Sequence, residues 1–159
     1  MLQARFCASA AFVSGQLYVC GGESGERGIL NSVERFDPTY NRWEPMPSMS
    51  QRRAGSAAAV LGGKVCVCGG RDDRTPLRSV EYLHPKREDV WQFLPDMLEP
   101  RAGPSAGIIA EVLYVFGGFS GRMALRSAEA FDPRAGASPC WEPVASMTAR
   151  RVGAASAAA

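Results

Sequence analysis

Apolar positions along the chain come in short alternating runs rather than in helical stripes. Leu17-Tyr18-Val19-Cys20 and Ser79-Val80-Glu81-Tyr82 are typical, each short, β-prone and bounded by turn-forming residues. Such runs suit strands, because β-branched and aromatic side chains fit a pleated surface and alternate between its two faces. No window keeps the period of an amphipathic helix. Between residues 49 and 96 the pattern predicts four strands, at 54–61, 64–68, 79–83 and 90–94, with Gly62-Gly63 turning tightly between the first two. This is a four-stranded antiparallel meander.

The meander recurs. Paired glycines stand at Gly21-Gly22, Gly69-Gly70 and Gly117-Gly118. Each pair is followed by Ser-x-Glu (Ser32 and Glu34, Ser79 and Glu81, Ser127 and Glu129), then by an aromatic residue and a proline. Next come Trp43, Trp91 and Trp141, each followed by a methionine (Met49, Met97, Met147) and an arginine (Arg53, Arg101, Arg151). Met1 and Arg5 stand in the same relation to Gly21, so the units read 1–48, 49–96 and 97–146, and 147–159 begins a fourth. A glycine pair at a strand end permits positive φ and close backbone approach, which leaves room for a large indole. The three tryptophans are therefore expected in the core. Each repeat glutamate is expected to meet an arginine such as Arg53, Arg101 or Arg151, because an unpaired carboxylate on a buried strand is costly. Its recurrence once per unit favours a structural ion pair over catalysis.

A glycine pair ending the second strand, a glutamate in the third and a tryptophan in the fourth resemble the kelch repeat, over the whole chain. The resemblance implies an all-β fold of kelch-type β-propeller blades, here three blades plus the first strand of a fourth in an incomplete ring. In that family the loops between the second and third strands, and the residue after the blade-entry arginine, commonly contact the partner. The post-arginine residues here are Phe6, Ala54, Ala102 and Val152, which would give an apolar floor. Ser-Val-Glu-Arg-Phe-Asp-Pro at 32–38 is similar to the BTB–kelch subgroup, whose propellers select substrates for a cullin-RING ubiquitin ligase through BTB and BACK domains that bind cullin three. Those domains are not among these residues. Other relatives bind actin as cytoskeletal scaffolds, and a few are copper-radical oxidases.

Antiparallel order puts the second-to-third loops (23–31, 71–78, 119–126) and the blade-entry segments on one face. That face carries Arg27, Arg71, Arg74, Arg78, Arg122 and Arg126, joined by Arg53 and Arg101. These are the predicted partner-binding residues. Planar guanidinium forks bind carboxylates in bidentate fashion, so the expected partner is a protein or a short acidic peptide.

Composition narrows the chemistry. A net charge of +2 argues against a nucleic-acid protein relying on a strongly basic surface. No run of apolar residues is long enough for a membrane-spanning helix, and no secretion signal is read. Five cysteines in a chain without an export signal point to free thiols in the cytoplasm, with nucleus or cytoskeleton as alternatives. The single histidine, His84, sits at a turn before proline and is a poor start for an oxidase. Cys66 and Cys68 share columns with tyrosine and phenylalanine and read as buried hydrophobes rather than metal ligands. No cofactor, metal or catalytic residue is expected.

Overall fold

The structure, a computed structural model, describes residues 1–85 and 90–154. Its strands are β1 (Ser9–Val13), β2 (Gln16–Cys20), β3 (Glu23–Ser24), β4 (Gly28–Ile29), β5 (Val33–Asp37), β6 (Arg42–Met46), β7 (Ala57–Leu61), β8 (Lys64–Cys68), β9 (Val80–Leu83), β10 (Gln92–Leu94), β11 (Ser105–Ile109), β12 (Val112–Phe116), β13 (Ala128–Phe131) and β14 (Trp141–Val144). They form three four-stranded antiparallel sheets, β1-β2-β5-β6, β7-β8-β9-β10 and β11-β12-β13-β14, plus the small hairpin β3-β4. No helix and no closed ring occur among the described residues. The three sheets are propeller blades.

Blades that converge on an axis are wedges, and the side chains follow the taper. The inner strands carry small residues, Ser9-Ala10-Ala11, Ala57-Ala58-Ala59 and Ser105-Ala106-Gly107, while the outer strands carry tryptophan. The first inter-blade core joins Tyr18, Cys20, Val33 and Met49 to Val65, Val67, Leu83 and Trp91. The second joins Cys66, Cys68, Val80 and Met97 to Leu113, Val115, Phe131 and Trp141. Trp91 and Trp141 are thus aimed back at the preceding blade: the Trp91 indole N–H donates to the Pro47 carbonyl at 2.9 Å and that of Trp141 to Pro95 at 2.8 Å.

Trp43 departs from the expectation. It is only half-buried, beside Phe36 at a ring separation of 5.2 Å, because no described blade precedes it to receive the indole. The far face of the third blade is open in the same way, with Ile109 67% exposed where its counterpart Leu61 is buried. Of the predicted start of a fourth unit at 147–159, residues 155–159 lie outside the described residues. Residues 147–154 form no strand and lie along the third blade, the Met147 N–H donating to the Arg126 carbonyl and Arg151 N–H to Leu125.

The glycine pairs sit where two chain segments cross. Gly69 has φ +59°, and a Cβ there would lie 2.5 Å from the Arg101 carbonyl oxygen. Only glycine fits. The neighbouring Gly70 N–H then donates to that same carbonyl, as Gly22 does to Arg53 and Gly118 to Arg151. The blade-entry segment is thereby tied to the blade before it.

Candidate functional site

The face built by the second-to-third loops holds two groups of arginines with opposite fates. Blade-entry Arg53 and Arg101 are fully buried, so their assignment to partner contact is corrected. Every Arg53 donor is used inside the protein: Nε and Nη2 bind Glu81, Nη1 binds the Gly69 and Ser79 carbonyls, and Nη2 also reaches Gln51 and the Ser79 hydroxyl. Arg101 repeats the arrangement with Glu129, Gly117 and Ser127. Arg5 does so with Glu34 at 2.6 Å. Glu34 is thus paired within its own unit, and Arg151, exposed, has no acidic partner among the described residues.

The carboxylates complete these buried staples. Glu81 accepts the Ser50 and Gln51 N–H groups, Glu129 those of Leu98 and Glu99, and Glu34 those of Leu2 and Gln3. Burial alone would raise the Glu34 carboxyl, but the Leu2 N–H, the Arg5 guanidinium and the Gln3 N–H together hold it below the usual carboxylate range.

The loop arginines point outward. In the second blade the Asp72 carboxylate accepts the Arg74 and Thr75 N–H groups, while Asp72 N–H donates to the Thr75 carbonyl. This closed turn puts Arg74 at the tip, and the N–H groups of Thr75 and Arg74 keep the Asp72 carboxyl low. In the third blade Ser120 takes the role of Asp72, its hydroxyl accepting from Arg122 and Met123, and Arg122 occupies the tip. The first blade differs: its loop pairs as β3-β4, with Glu26 in the column of Arg74 and Arg122. The guanidinium groups of Arg27, Arg74, Arg122 and Arg126 are exposed and have no hydrogen-bond or ion-pair partner among the described residues.

Arg71 and Arg78 are also exposed but engaged, Arg71 with Glu23 at 2.5 Å and Arg78 with Asp96 at 3.0 Å. Sequence reasoning missed Arg52, which lies 3.9 Å from Asp73, and Arg150, which donates to the Ala124 carbonyl at 2.7 Å. Both precede a blade-entry arginine, a column that the repeat does not fill with one residue type. The apolar floor is partial: Phe6 and Val152 are more than half exposed, whereas Ala54 is buried beneath its bridge to Arg71 and Ala102 is half-buried beside Phe119.

The three buried thiols, Cys20, Cys66 and Cys68, are not activated. Burial pushes Cys20 and Cys66 up to about 12 and raises Cys68 as well. All five cysteines are unpaired, and no three His, Cys, Asp or Glu side chains of the described residues gather as a metal site would require. No helix among the described residues is long and apolar enough to cross a membrane.

Three wedge-shaped, four-stranded blades with repeat ion pairs at their entries define a β-propeller repeat protein. The Kelch motif profile matches residues 4–50, 52–98 and 100–148, and the chain belongs to the kelch-motif family. No curated protein matches significantly. Among solved structures, "Structure of YjhT" is similar in fold, with a TM-score of 0.78 at 19% identity over 93% of this chain and 54% of that one. The chain thus spans about half the length of that relative.

Proposed function

We propose that the chain is a non-enzymatic protein-interaction module that reads an acidic peptide or protein surface with the loop arginines of its second and third blades. The observation that carries this reading is the set of exposed, unpaired guanidinium groups at Arg74, Arg122 and Arg126, two of them held at the tips of closed turns. An arginine whose backbone is already fixed in a closed turn loses less backbone freedom on binding a carboxylate than one on a loose loop. Arg27 adds charge at the first blade, and Phe6 and Phe119 offer apolar contact on the same face. The biological setting we propose is substrate selection, as the kelch region of a BTB–kelch adaptor for a cullin-RING ubiquitin ligase, in the cytoplasm. Cullin three would be met only through domains beyond these residues. The motif at 32–38 supports this setting.

The setting is tested by co-immunoprecipitation from cells expressing the full-length gene product. Recovery of cullin three, lost when any upstream BTB region is deleted, is expected. Absence of cullin together with a salt-resistant pellet on F-actin would replace the adaptor by a cytoskeletal scaffold.

A further inference from the structure

The loops of the second and third blades share their arginines but not the neighbours of those arginines. Aligned on the glycine pairs, Arg74 corresponds to Arg122 and Arg78 to Arg126. In the second blade carboxylates stand close by: Arg78 pairs with Asp96 at 3.0 Å, Arg52 lies 3.9 Å from Asp73, and Asp72 closes the turn that carries Arg74. In the third blade each of these acids is replaced, Asp72 by Ser120, Asp73 by Gly121 and, aligned on the methionine that follows, Asp96 by Ser146. Neither the loop 119–126 nor the segment 145–154 contains an aspartate or a glutamate. Glu99, on the entry segment of this blade, is bonded to Arg101 and the Ser127 hydroxyl.

Arg150 adds a third cation. Its Nη1 donates to the Ala124 carbonyl at 2.7 Å and to the Met123 sulfur, which holds it against the same loop, while its Nε and Nη2 have no partner among the described residues. The third-blade loop thus gathers the guanidinium groups of Arg122, Arg126 and Arg150 without a countercharge, where the second-blade loop is nearly balanced. One carboxylate would offset only one of the three. A phosphorylated side chain brings about −1.5 to −2 charges and three strong acceptor oxygens, which suit several arginine forks at once. We propose that this loop seats a phosphoserine or phosphothreonine of the partner, an inference that rests on reading the arginine face as a surface for acidic peptides. Phe119, 39% exposed at the start of the loop, offers the peptide an apolar contact. A nucleic-acid strand suits the face less well, because its continuous phosphates would meet Asp72, Asp73 and Asp96 on the neighbouring blade.

The probe is an alanine-rich peptide with one central phosphoserine, titrated into the chain beside the same peptide carrying glutamate, and followed through the arginine Nε–H signals in NMR. The phosphopeptide is expected to bind at least about tenfold more tightly than the glutamate peptide and to shift the Arg122, Arg126 and Arg150 signals. Ser120→Asp with Ser146→Asp puts the second blade's carboxylates into the third and is expected to remove that preference, with the far-ultraviolet spectrum unchanged. If this variant does not fold, Arg122→Ala with Arg126→Ala, at two exposed positions, is expected to remove it instead. Equal affinity for the two peptides overturns this inference and leaves the acidic-peptide reading standing; binding of neither overturns the inference and counts against that reading as well. Binding of a thymidine dinucleotide as tight as that of the phosphopeptide would overturn it in favour of nucleic acid.

Discussion

At the residue scale, the same side chain does opposite work according to the number of donors the protein consumes. Arg53 and Arg101 spend theirs on a glutamate, a glycine carbonyl and a serine, out of contact with water. Leaving Glu81 or Glu129 buried and unpaired costs about 3–5 kcal/mol, against about 0–1 kcal/mol for an exposed pair such as Arg71–Glu23. Arg53→Ala and Arg101→Ala are therefore expected to lower unfolding free energy in urea severalfold more than Arg71→Ala; equal small losses would contradict the staple. Glu34 adds a pH dependence. Its folded carboxyl titrates lower than in the unfolded chain, so its stabilisation is fully present above about pH 4.5 and is lost as pH falls through the lowered folded value. Urea midpoints measured from pH 6 down to about pH 3 are expected to fall less in Glu34→Gln than in the wild type. Both roles follow from burial, which a spacing pattern does not reveal; the columns placed arginine and glutamate near each other but also put Arg53 and Arg101 among the partner contacts.

At the scale of the blade, strand order, register and the glycine crossings were legible because each is a local signal repeated three times. The turn at Gly62-Gly63, with φ +55° and +74°, and β8 at Lys64–Cys68 lie where the alternation placed them. The first strand of that blade is shorter than the apolar run, since Ala54 bridges to Arg71 before β7 begins at Ala57. The β3-β4 hairpin was not legible: two-residue strands carry too few alternating positions to stand out. Tryptophan burial was legible as a column but not by position, because it depends on a neighbour. Trp141→Ala removes a nearly fully buried indole and its bond to Pro95 and is expected to cost about 3–5 kcal/mol, whereas Trp43→Ala, at a half-open face, is expected to cost distinctly less. Thermal or urea unfolding of the two variants would distinguish them, and equal costs would contradict a tryptophan that packs on the preceding blade.

At the scale of the whole molecule, blade stacking is coupled to surface display. The blade-entry segments at Arg53 and Arg101 are each fastened to the preceding blade by the arginine carbonyl and to their own blade by the arginine side chain. The loops that rise from this fastened edge carry Arg74, Arg122 and Arg126 into solvent. Screening by salt weakens contacts made by exposed charges and leaves the buried staples largely untouched, so partner binding should be far more salt-sensitive than folding. The most direct test is the affinity of the chain for an acidic dodecamer selected from a displayed random-peptide library, measured by titration calorimetry before and after Arg74, Arg122 and Arg126 are changed together to alanine. The account predicts selection of Asp- and Glu-rich peptides and at least about tenfold weaker binding by the triple variant, about 1.4 kcal/mol, with its circular dichroism unchanged. Undiminished affinity in the triple variant, or selection of peptides without acidic residues, would contradict it.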